Sequence, residues 1–527
     1  MRSVSGRGTA RCHAQARASG RARPALRSFR APAQRRRNLV CHQSRQAGNG
    51  LRATSLDAPV QQTQRDAVSE EWFRWDRHWW PVELLYNAED ADPARPLRTT
   101  LLGEDFVLWK TGGQWRAARD ACPHRLAPMS EGRVDADGTL VCSYHGWRFS
   151  ESGNCVDIPQ ADTEAALRTA CSSPRSCLST VPVRAFAGAL WLWPDGTPEG
   201  AAVADATPPV VPVGFDEFME YSGRVNPEST RGYTRLLPYG YDVLVENLAD
   251  PSHIPVSHHK VMPGVTRDNA THLRMSEDAF VHEWGWATAQ RDGAASATAA
   301  LAPPIGAFSF NSVFKPGNHG HVEVRGPSLI EYRYADSADV REEKWISTVL
   351  MAVPVAPGRS RAFVFGWNAK DHAAAVAARS EAGGEEGGGT KSGSFVGGGG
   401  GLRQVVFGLL PKWIFHMLSH KIFDSDGVFL HMQDKQLRHR GGRWASAYYC
   451  PTSADKAIIA FRKWLDGPGG GGPQWAPGTP AADEREIPRE VLLDRYTSHT
   501  RDCKVCKKAS ALRQSFMFVD WVHADVK

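Results

Sequence analysis

The first 56 residues contain no Asp, no Glu and no Lys, yet they carry thirteen Arg; the first acid is Asp57. An Arg-rich, acid-free stretch with Ala and Ser has the composition of an organelle transit peptide over 1–56, the other reading being a disordered basic tail. It lacks the apolar core of roughly 7–15 residues that a secretory signal needs. The formal charge of +6 comes from this segment, because the remainder holds 50 bases against 57 acids, a net of −7. A mildly acidic body excludes nucleic acid as the expected partner. Uninterrupted apolar runs of about eighteen residues are also absent, so no transmembrane helix is predicted. The nearest candidate, "QVVFGLLPKWIFHMLSHKIF" (404–423), is broken by Pro411 and carries Lys412, His416, His420 and Lys421, and it reads as a buried or interfacial helix pair. No Gly-x-Gly-x2-Gly fingerprint follows a strand, which excludes a nicotinamide or flavin domain and makes any reducing power arrive from a partner. The ten Cys are too unevenly spaced for a disulfide scaffold.

The 527 residues suffice for two or three domains. Residues 72–195 are rich in short β-type runs, among them "DFVLWKTGGQWRAARDACPH" with "TGGQ" as a turn, and "GALWLWP" at 188–194. A Pro-rich linker, "TPPVVPVG" (207–214), leads into a larger segment, 215–465, that mixes strands with helices. Within it, the Gly-rich stretch 380–403 cannot offset its ordering entropy by burial and reads as a disordered insert. "PTSADKAIIAFRKWL" (451–465) opens on Ser/Thr capping chemistry and places Ile458, Phe461 and Leu465 on one face, which predicts a helix. A second Gly/Pro stretch then sets apart a C-terminal extension, 466–527.

Two constellations carry chemistry. The first is Cys122-x-His124 followed, seventeen residues on, by Cys142-x2-His145. Two Cys and two His at two loop tips bind either zinc or an iron–sulfur cluster. Zinc sites usually take one pair from a Cys motif and the other from a His motif. Here each half supplies one of each, the division a Rieske [2Fe–2S] centre needs: one iron held by both thiolates and one by both imidazoles. Pro123 and Gly146 favour the tight loops that bring the tips together. Cys155, Cys171, Cys177 and Cys450 read as buried small hydrophobes, and Cys12 and Cys41 lie in the basic leader.

The second constellation is "ENLADPSHIPVSHH" (246–259), in which Asn247, Asp250, His253 and His258 recur at short intervals. Its spacing resembles the mononuclear-iron motif of Rieske non-haem oxygenases. That resemblance makes His253 and His258 two arms of a 2-His-1-carboxylate site with open positions for O2. Asp250, three residues before His253 and on about the same helical face, would accept the imidazole N–H. His259 is expected to face solvent. The third ligand falls in "KIFDSDGVFLHMQ", where the family pattern aligns best with Asp426 and Gln433, and Asp424 is the alternative.

The likeness runs over nearly all of 72–510. "HWWPV", "CPHRLAPMSEGR", "YHGWRFSESGNCVDIPQ", "PYGYDVLVENLADPSHIP", "PTSAD" and "DRYTSHTRDCKVCKKA" resemble the plastid group around pheophorbide a oxygenase, closest in wording to its protochlorophyllide-dependent translocon branch. The resemblance implies an α+β protein: an N-terminal all-β Rieske domain, then a helix-grip-like catalytic domain. It further implies a [2Fe–2S] cluster, a mononuclear Fe(II), ferredoxin as donor, O2 as co-substrate and a chlorophyll-related tetrapyrrole as substrate. Chloroplast location, at the thylakoid or inner envelope, is implied too, as is a head-to-tail homotrimer in which Asp250 bridges to His145 of a neighbour. The Cys503-x2-Cys506 pair belongs to the same likeness. Lys504, Lys507 and Lys508 should favour thiolate there, so the pair reads as a thioredoxin-addressable switch or as two ordinary thiols. Relatives carry apolar anchoring helices beyond this motif, whereas 21 residues follow Cys506 here, so a peripheral or stromal protein is expected. Two rival readings stand beside the oxygenase: a redox-sensing subunit of the envelope import machinery, and an oxygenase of some unrelated aromatic compound.

Overall fold

The computed structural model describes residues 72–212, 214–225, 232–262, 265–270, 272–277, 304–311, 319–335, 345–382 and 413–515. The basic leader and most of the Gly-rich insert lie outside them. Where the insert does fall inside, at 380–382, it is not loop but the last turn of the helix Ala369–Ala382. Glu381 and Ala382 are good helix formers, and the glycines begin only after them.

Eleven short strands occupy 80–192: β1 (Trp80–Leu84), β2 (Leu97–Leu101), β3 (Glu104–Thr111), β4 (Gln114–Arg119), β5 (Arg133–Val134), β6 (Leu140–Val141), β7 (Arg148–Phe149), β8 (Cys155–Asp157), β9 (Thr180–Val181), β10 (Val183–Phe186) and β11 (Ala189–Leu192). They form three antiparallel sheets, ordered β1-β11-β10, β2-β3-β4-β9 and β5-β6-β7-β8. The expected "TGGQ" turn joins β3 to β4, with Thr111 opposite Gln114. Gly112 and Gly113 there have φ of 55° and 78°, the pair of left-handed residues that a two-residue hairpin with matching twist requires. A separate apolar core of Val107, Trp109, Met129, Leu140, Phe149 and Leu178 includes the buried Cys122 and Cys142.

The larger segment is built on a seven-stranded antiparallel sheet. It has β12 (Gly232–Leu237) beside the meander β13 (Met275–Glu277), β14 (Pro304–Asn311), β15 (His319–Arg325), β16 (Leu329–Ala335), β17 (Ile346–Ala356) and β18 (Arg359–Asn368), in the order β12-β18-β17-β16-β15-β14-β13. The helices Tyr241–Ala249 and Lys456–Asp466 pack against this sheet, and the long helix Trp413–His439 packs on Tyr241–Ala249 and β12. The helix expected over 451–465 is present as a 3-10 turn, Ser453–Asp455, running into Lys456–Asp466, and a Thr452–Asp455 capping box opens it. The second half of the apolar stretch 404–423 forms the start of the long helix, which runs unbroken to His439. His416 and His420 are buried in it, and 404–412 lie outside the described residues.

The segments read as spacers are docked. Trp79 Nε1 donates to the carbonyl of Thr207 at 2.7 Å, and Val210 and Val211 pack against the main core, so the Pro-rich linker is held. The Gly/Pro stretch after 466 returns to the N-terminal strands. Trp75 Nε1 donates to Gly469 O at 2.9 Å, Phe73 N to Pro468 O at 2.8 Å, and Ala476 N to Leu102 O at 2.9 Å. Gly470, at a φ of 66°, passes close over the Trp72 ring, where an added Cβ would stand 3.4 Å from Cε3. The two sheet regions are joined as well: Leu102 N and Gly103 N donate to Pro354 O and Val355 O at 2.9 and 2.8 Å, and Arg361 reaches Val82 O at 2.7 Å. Trp75 is the centre of this junction, fully buried, stacked on Trp80 at 5.9 Å and edge-on to Tyr241 at 5.3 Å. Trp75→Ala should therefore cost about 3–5 kcal/mol in chemical denaturation, and Trp75→Phe distinctly less; equal stability of both variants to the parent would contradict this junction.

Candidate active site and its relatives

The two Cys/His loops are built alike. Cys122 N donates to Ala127 O and Leu126 N to Cys122 O, both at 2.8 Å; Cys142 N donates to Trp147 O and Gly146 N to Cys142 O, both at 2.9 Å. Each loop thus closes on the residue five positions after its Cys and turns on a left-handed residue four positions after it, Leu126 at φ 61° and Gly146 at φ 76°. The sequence pointed to Gly146 but not to Leu126, a leucine in a conformation that favours glycine. His124 and His145 sit at the loop tips with ring centroids 4.5 Å apart, His124 stacked on Trp147 at 4.9 Å. Both Cys are 1% exposed, whereas His124 is exposed and His145 half-buried. Burial pushes the Cys122 thiol up to about 11, the neighbouring Cys142 adding to it. Two buried sulfurs below two accessible imidazoles fit a two-iron cluster whose inner iron is thiolate-bound and whose outer iron faces the surface.

The second set forms around Asp426. The helix Tyr241–Ala249 ends at Asp250, whose φ and ψ of −101° and 104° are extended. Pro251 imposes this, since the residue before a proline is driven out of the helical region. Asp250 and His253 therefore do not share a helical face, as the spacing had implied. His253 and His258 instead flank the single turn Ile254–Ser257, as its first and last caps. That turn brings their Nε2 atoms to 3.2 Å. Asp426 Oδ2 lies 3.5 Å from His253 Nε2 and 3.4 Å from His258 Nε2. The three donors make a nearly equilateral triangle, with edges suited to adjacent positions around one ion about 2.1 Å from each.

Each donor is oriented from behind. His258 Nδ1–H donates to Ser425 Oγ at 2.7 Å, and that hydroxyl donates to Ile422 O at 2.6 Å, leaving Nε2 bare. Asp250 Oδ2 faces His253 Nδ1 at 3.5 Å, while Oδ1 accepts from Ser252 N at 2.7 Å. Ser257 Oγ donates to Asp426 Oδ1, and Asn247 Nδ2 stands 3.3 Å from Asp426 Oδ2 and 3.4 Å from His253 Nε2. Burial lowers His258 to about 4, so its ring is neutral and ready to ligate. Burial also works against charge on His253, but the flanking Asp250 and Asp426 outweigh it and raise that ring to about 10. The carboxyls of Asp250 and Asp426 are buried too, and His253 nevertheless holds both below their ordinary range.

Asp424 has a different setting. Arg235 Nη1 meets its Oδ1 at 2.7 Å and Arg495 Nε its Oδ2 at 2.7 Å, away from the two histidines. Gln433 lines the neighbouring cavity and donates to Glu246 Oε2 at 3.0 Å. His259 is half-buried, and its Nδ1 accepts from Arg267 N at 2.9 Å; it fixes a loop rather than simply facing solvent. Of the Cys expected in the core, Cys155 is buried, while Cys171, Cys177 and Cys450 are half-buried. Cys503 and Cys506 are 1% and 8% exposed. The Cys503 thiol is held far below its ordinary range by Cys506 and, against burial, by His416 and His499. The lysines credited with this point elsewhere: Lys504 pairs with Asp90 at 2.8 Å, and Lys507 is exposed. Asn247, Ser257, Ser425, His416 and His499 were given no role from sequence. Of these, His499 carried a signal, in the order His499-x3-Cys503-x2-Cys506.

Residues 81–182 match the Rieske [2Fe-2S] domain family, which makes this region a [2Fe–2S] domain. Residues 325–444 match the pheophorbide a oxygenase family. Chloroplastic pheophorbide a oxygenase of Arabidopsis thaliana is 34% identical over 455 residues, 83% of this chain and 73% of the relative. The chain belongs to the pheophorbide a oxygenase family of Rieske oxygenases. Its relatives also include flavonoid 8-hydroxylase 2 of Ocimum basilicum, 31% identical over 84% of this chain and 74% of that one. A third is the protochlorophyllide-dependent translocon component 52 of Arabidopsis thaliana, 28% identical over 83% of this chain and 74% of that one.

The loop geometry has a direct consequence. A Cβ on Gly146 would stand 3.1 Å from Pro159 Cγ at a φ of 76°, and a left-handed alanine costs about 1–2 kcal/mol by itself. Gly146→Ala should lower the Rieske EPR signal per chain several-fold while the fold, read by circular dichroism, persists; an undiminished signal would contradict the tight-loop account.

Proposed function

We propose that this chain is a chloroplast enzyme that takes electrons from ferredoxin and uses O2 to oxygenate a chlorophyll-related tetrapyrrole. The observation that carries this reading is a cavity of about 450 Å³ lined by His253 and Asp426, two of the three members of the triangle. Its walls combine the apolar Phe429, Leu430, Tyr449 and Ile458 with at least as many polar side chains, Glu246 and Gln433 among them; the former suit the flat face of a macrocycle and the latter its polar substituents. Phe429 and Tyr449 are 68% and 89% exposed, so the rim itself is apolar. Within the lining, Tyr448 Oη and Gln433 Nε2 both donate to Glu246 Oε2, at 3.1 and 3.0 Å. Arg462 Nε donates to the other oxygen of Glu246 at 2.5 Å and its Nη1 to Asp242 at 2.7 Å. This buried network fixes the polar anchors in place before a ligand arrives.

Cys122 and Cys142 would hold one iron of the cluster and His124 and His145 the other, while His253, His258 and Asp426 would hold a mononuclear Fe(II). When bound, these groups supply one-electron storage and O2 activation. The protein's own part is orientation. Ser425 fixes the tautomer of His258, Asp250 backs His253, and Ser257 with Asn247 holds the Asp426 carboxylate. In a head-to-tail homotrimer, the accessible His145 of one chain would face Asp250 of the next, giving electrons a path between subunits. Among the described residues no helix is long and apolar enough to cross a membrane. The names of the pheophorbide a oxygenase relatives support the tetrapyrrole class. The translocon-component relatives favour a second reading, a redox-sensing component of envelope import.

The test is turnover with anaerobically reconstituted protein, reduced ferredoxin and 18O2, offering pheophorbide a, protochlorophyllide, chlorophyllide and a phyllobilin. Label is expected in one pigment and should be lost on His253→Ala. Absence of label in all four, with an intact Rieske EPR signal, would overturn the tetrapyrrole reading in favour of the redox sensor.

A further inference from the structure

A third group of metal-binding side chains lies outside both constellations. His416, on the long helix Trp413–His439, meets His499, Cys503 and Cys506 from the C-terminal region. All four are buried, and one donor atom from each lies within 4.8 Å of the other three. Cys503 Sγ is 3.3 Å from His416 Nδ1; Cys506 Sγ is 3.5 Å from the same nitrogen and 3.4 Å from His499 Nε2. The two nitrogens are 3.1 Å apart. In a tetrahedral zinc site with Zn–S of about 2.3 Å and Zn–N of about 2.0–2.1 Å, sulfur and nitrogen stand about 3.5 Å apart and two nitrogens about 3.4 Å apart. The observed edges fall close to these values.

Hydrogen bonding among the four is a poor alternative. His499 Nδ1–H donates to Thr234 O at 2.6 Å, so its Nε2 is a bare lone pair aimed into the group. This is the outer hydrogen bond by which a ligating imidazole is usually oriented. His416 presents Nδ1 to the same centre, and its buried Nε2 has no hydrogen-bond partner. Hydrogen bonding here would rest on two thiol protons and at most one on Nδ1, in weak S–H···N contacts, whereas the four edges are those of a coordination sphere. A cation at the centre satisfies all four at once.

We infer that His416, His499, Cys503 and Cys506 form a closed structural Zn(II) site. Two thiolates and two imidazoles leave no open position, the mark of a structural site rather than a catalytic one. Three ligands come from the stretch 499–506, carried by the turn Tyr496–Thr500 and the start of the helix Lys504–Ser515. The fourth stands ten residues before Asp426 on the same helix, about 15 Å along its axis. The ion thereby ties the C-terminal region to the helix that bears the iron-facing carboxylate. It also leaves the two thiols engaged and sheltered, so direct attack by thioredoxin has nothing free to attack.

Metal content of the purified full-length holoprotein tests this independently of substrate. One zinc per chain beyond its iron is expected, with an X-ray absorption edge fitting two sulfur and two nitrogen neighbours. Cys506→Ser and His416→Gln should each lose that zinc and lower Tm while the Rieske EPR signal stays. The parent's Cys503 and Cys506 should resist alkylation until a chelator is added. Zinc below about 0.1 per chain in fully iron-loaded protein, with both thiols alkylated at once or joined as a disulfide, would overturn the site. So would iron rather than zinc at those four residues.

Discussion

The architecture depends on a buried carboxylate. Asp426 is 5% exposed, and a charge so far from water needs partners on every side. It has them in His253, His258, Ser257 and Asn247, all from the segment 247–258. The neighbours of Asp426 do complementary work. Asp424 ties the long helix to Arg235 of the sheet and to Arg495, and Ser425 sets the ring of His258. Three consecutive residues on one helix, about 100° apart around its axis, thus anchor the helix, orient one imidazole and close the triangle with the other. A small rotation of that helix would undo all three together, which explains why so much of the chain is committed to holding it.

The rest of the fold supplies that support in layers. The seven-stranded sheet backs the helix Tyr241–Ala249, whose end delivers Asp250 and His253. Glu246 on that helix is buried and tied to Arg462 of the helix Lys456–Asp466. The sheets β1-β11-β10 and β2-β3-β4-β9 share the tryptophan-rich core with the larger sheet, and backbone hydrogen bonds from Leu102 and Gly103 to Pro354 and Val355 join them directly.

Short-range features were legible in the sequence. The hairpin at 111–114, the capped helix after Thr452 and the two Cys/His loops each depend on residues within a few positions of one another, where turn and cap chemistry act directly. The proline at 251 was equally local, yet the even spacing of Asp250 and His253 concealed the helix break that it forces. What stayed hidden depends on long-range packing. His416 meets His499 across 83 residues, and Trp75 meets Gly469 across 394. The composition of 467–478 indicates a spacer, although Gly469 accepts from the Trp75 indole and Gly470 lies against Trp72. Asp424 and Asp426 stand two residues apart, and what distinguishes them lies far off in sequence: Arg235 and Arg495 engage Asp424, whereas the two histidines face Asp426.

The central claim is that Asp426 closes the iron site while Asp424 serves the helix. Mononuclear iron, read as the EPR signal of the ferrous–nitric oxide adduct beside the Rieske signal, separates the two in Asp426→Asn and Asp424→Asn. The account predicts that Asp426→Asn loses the mononuclear signal at least tenfold with the Rieske signal intact, and that Asp424→Asn keeps both at a lower Tm. Retention of the mononuclear signal in Asp426→Asn, with its loss in Asp424→Asn, would contradict it.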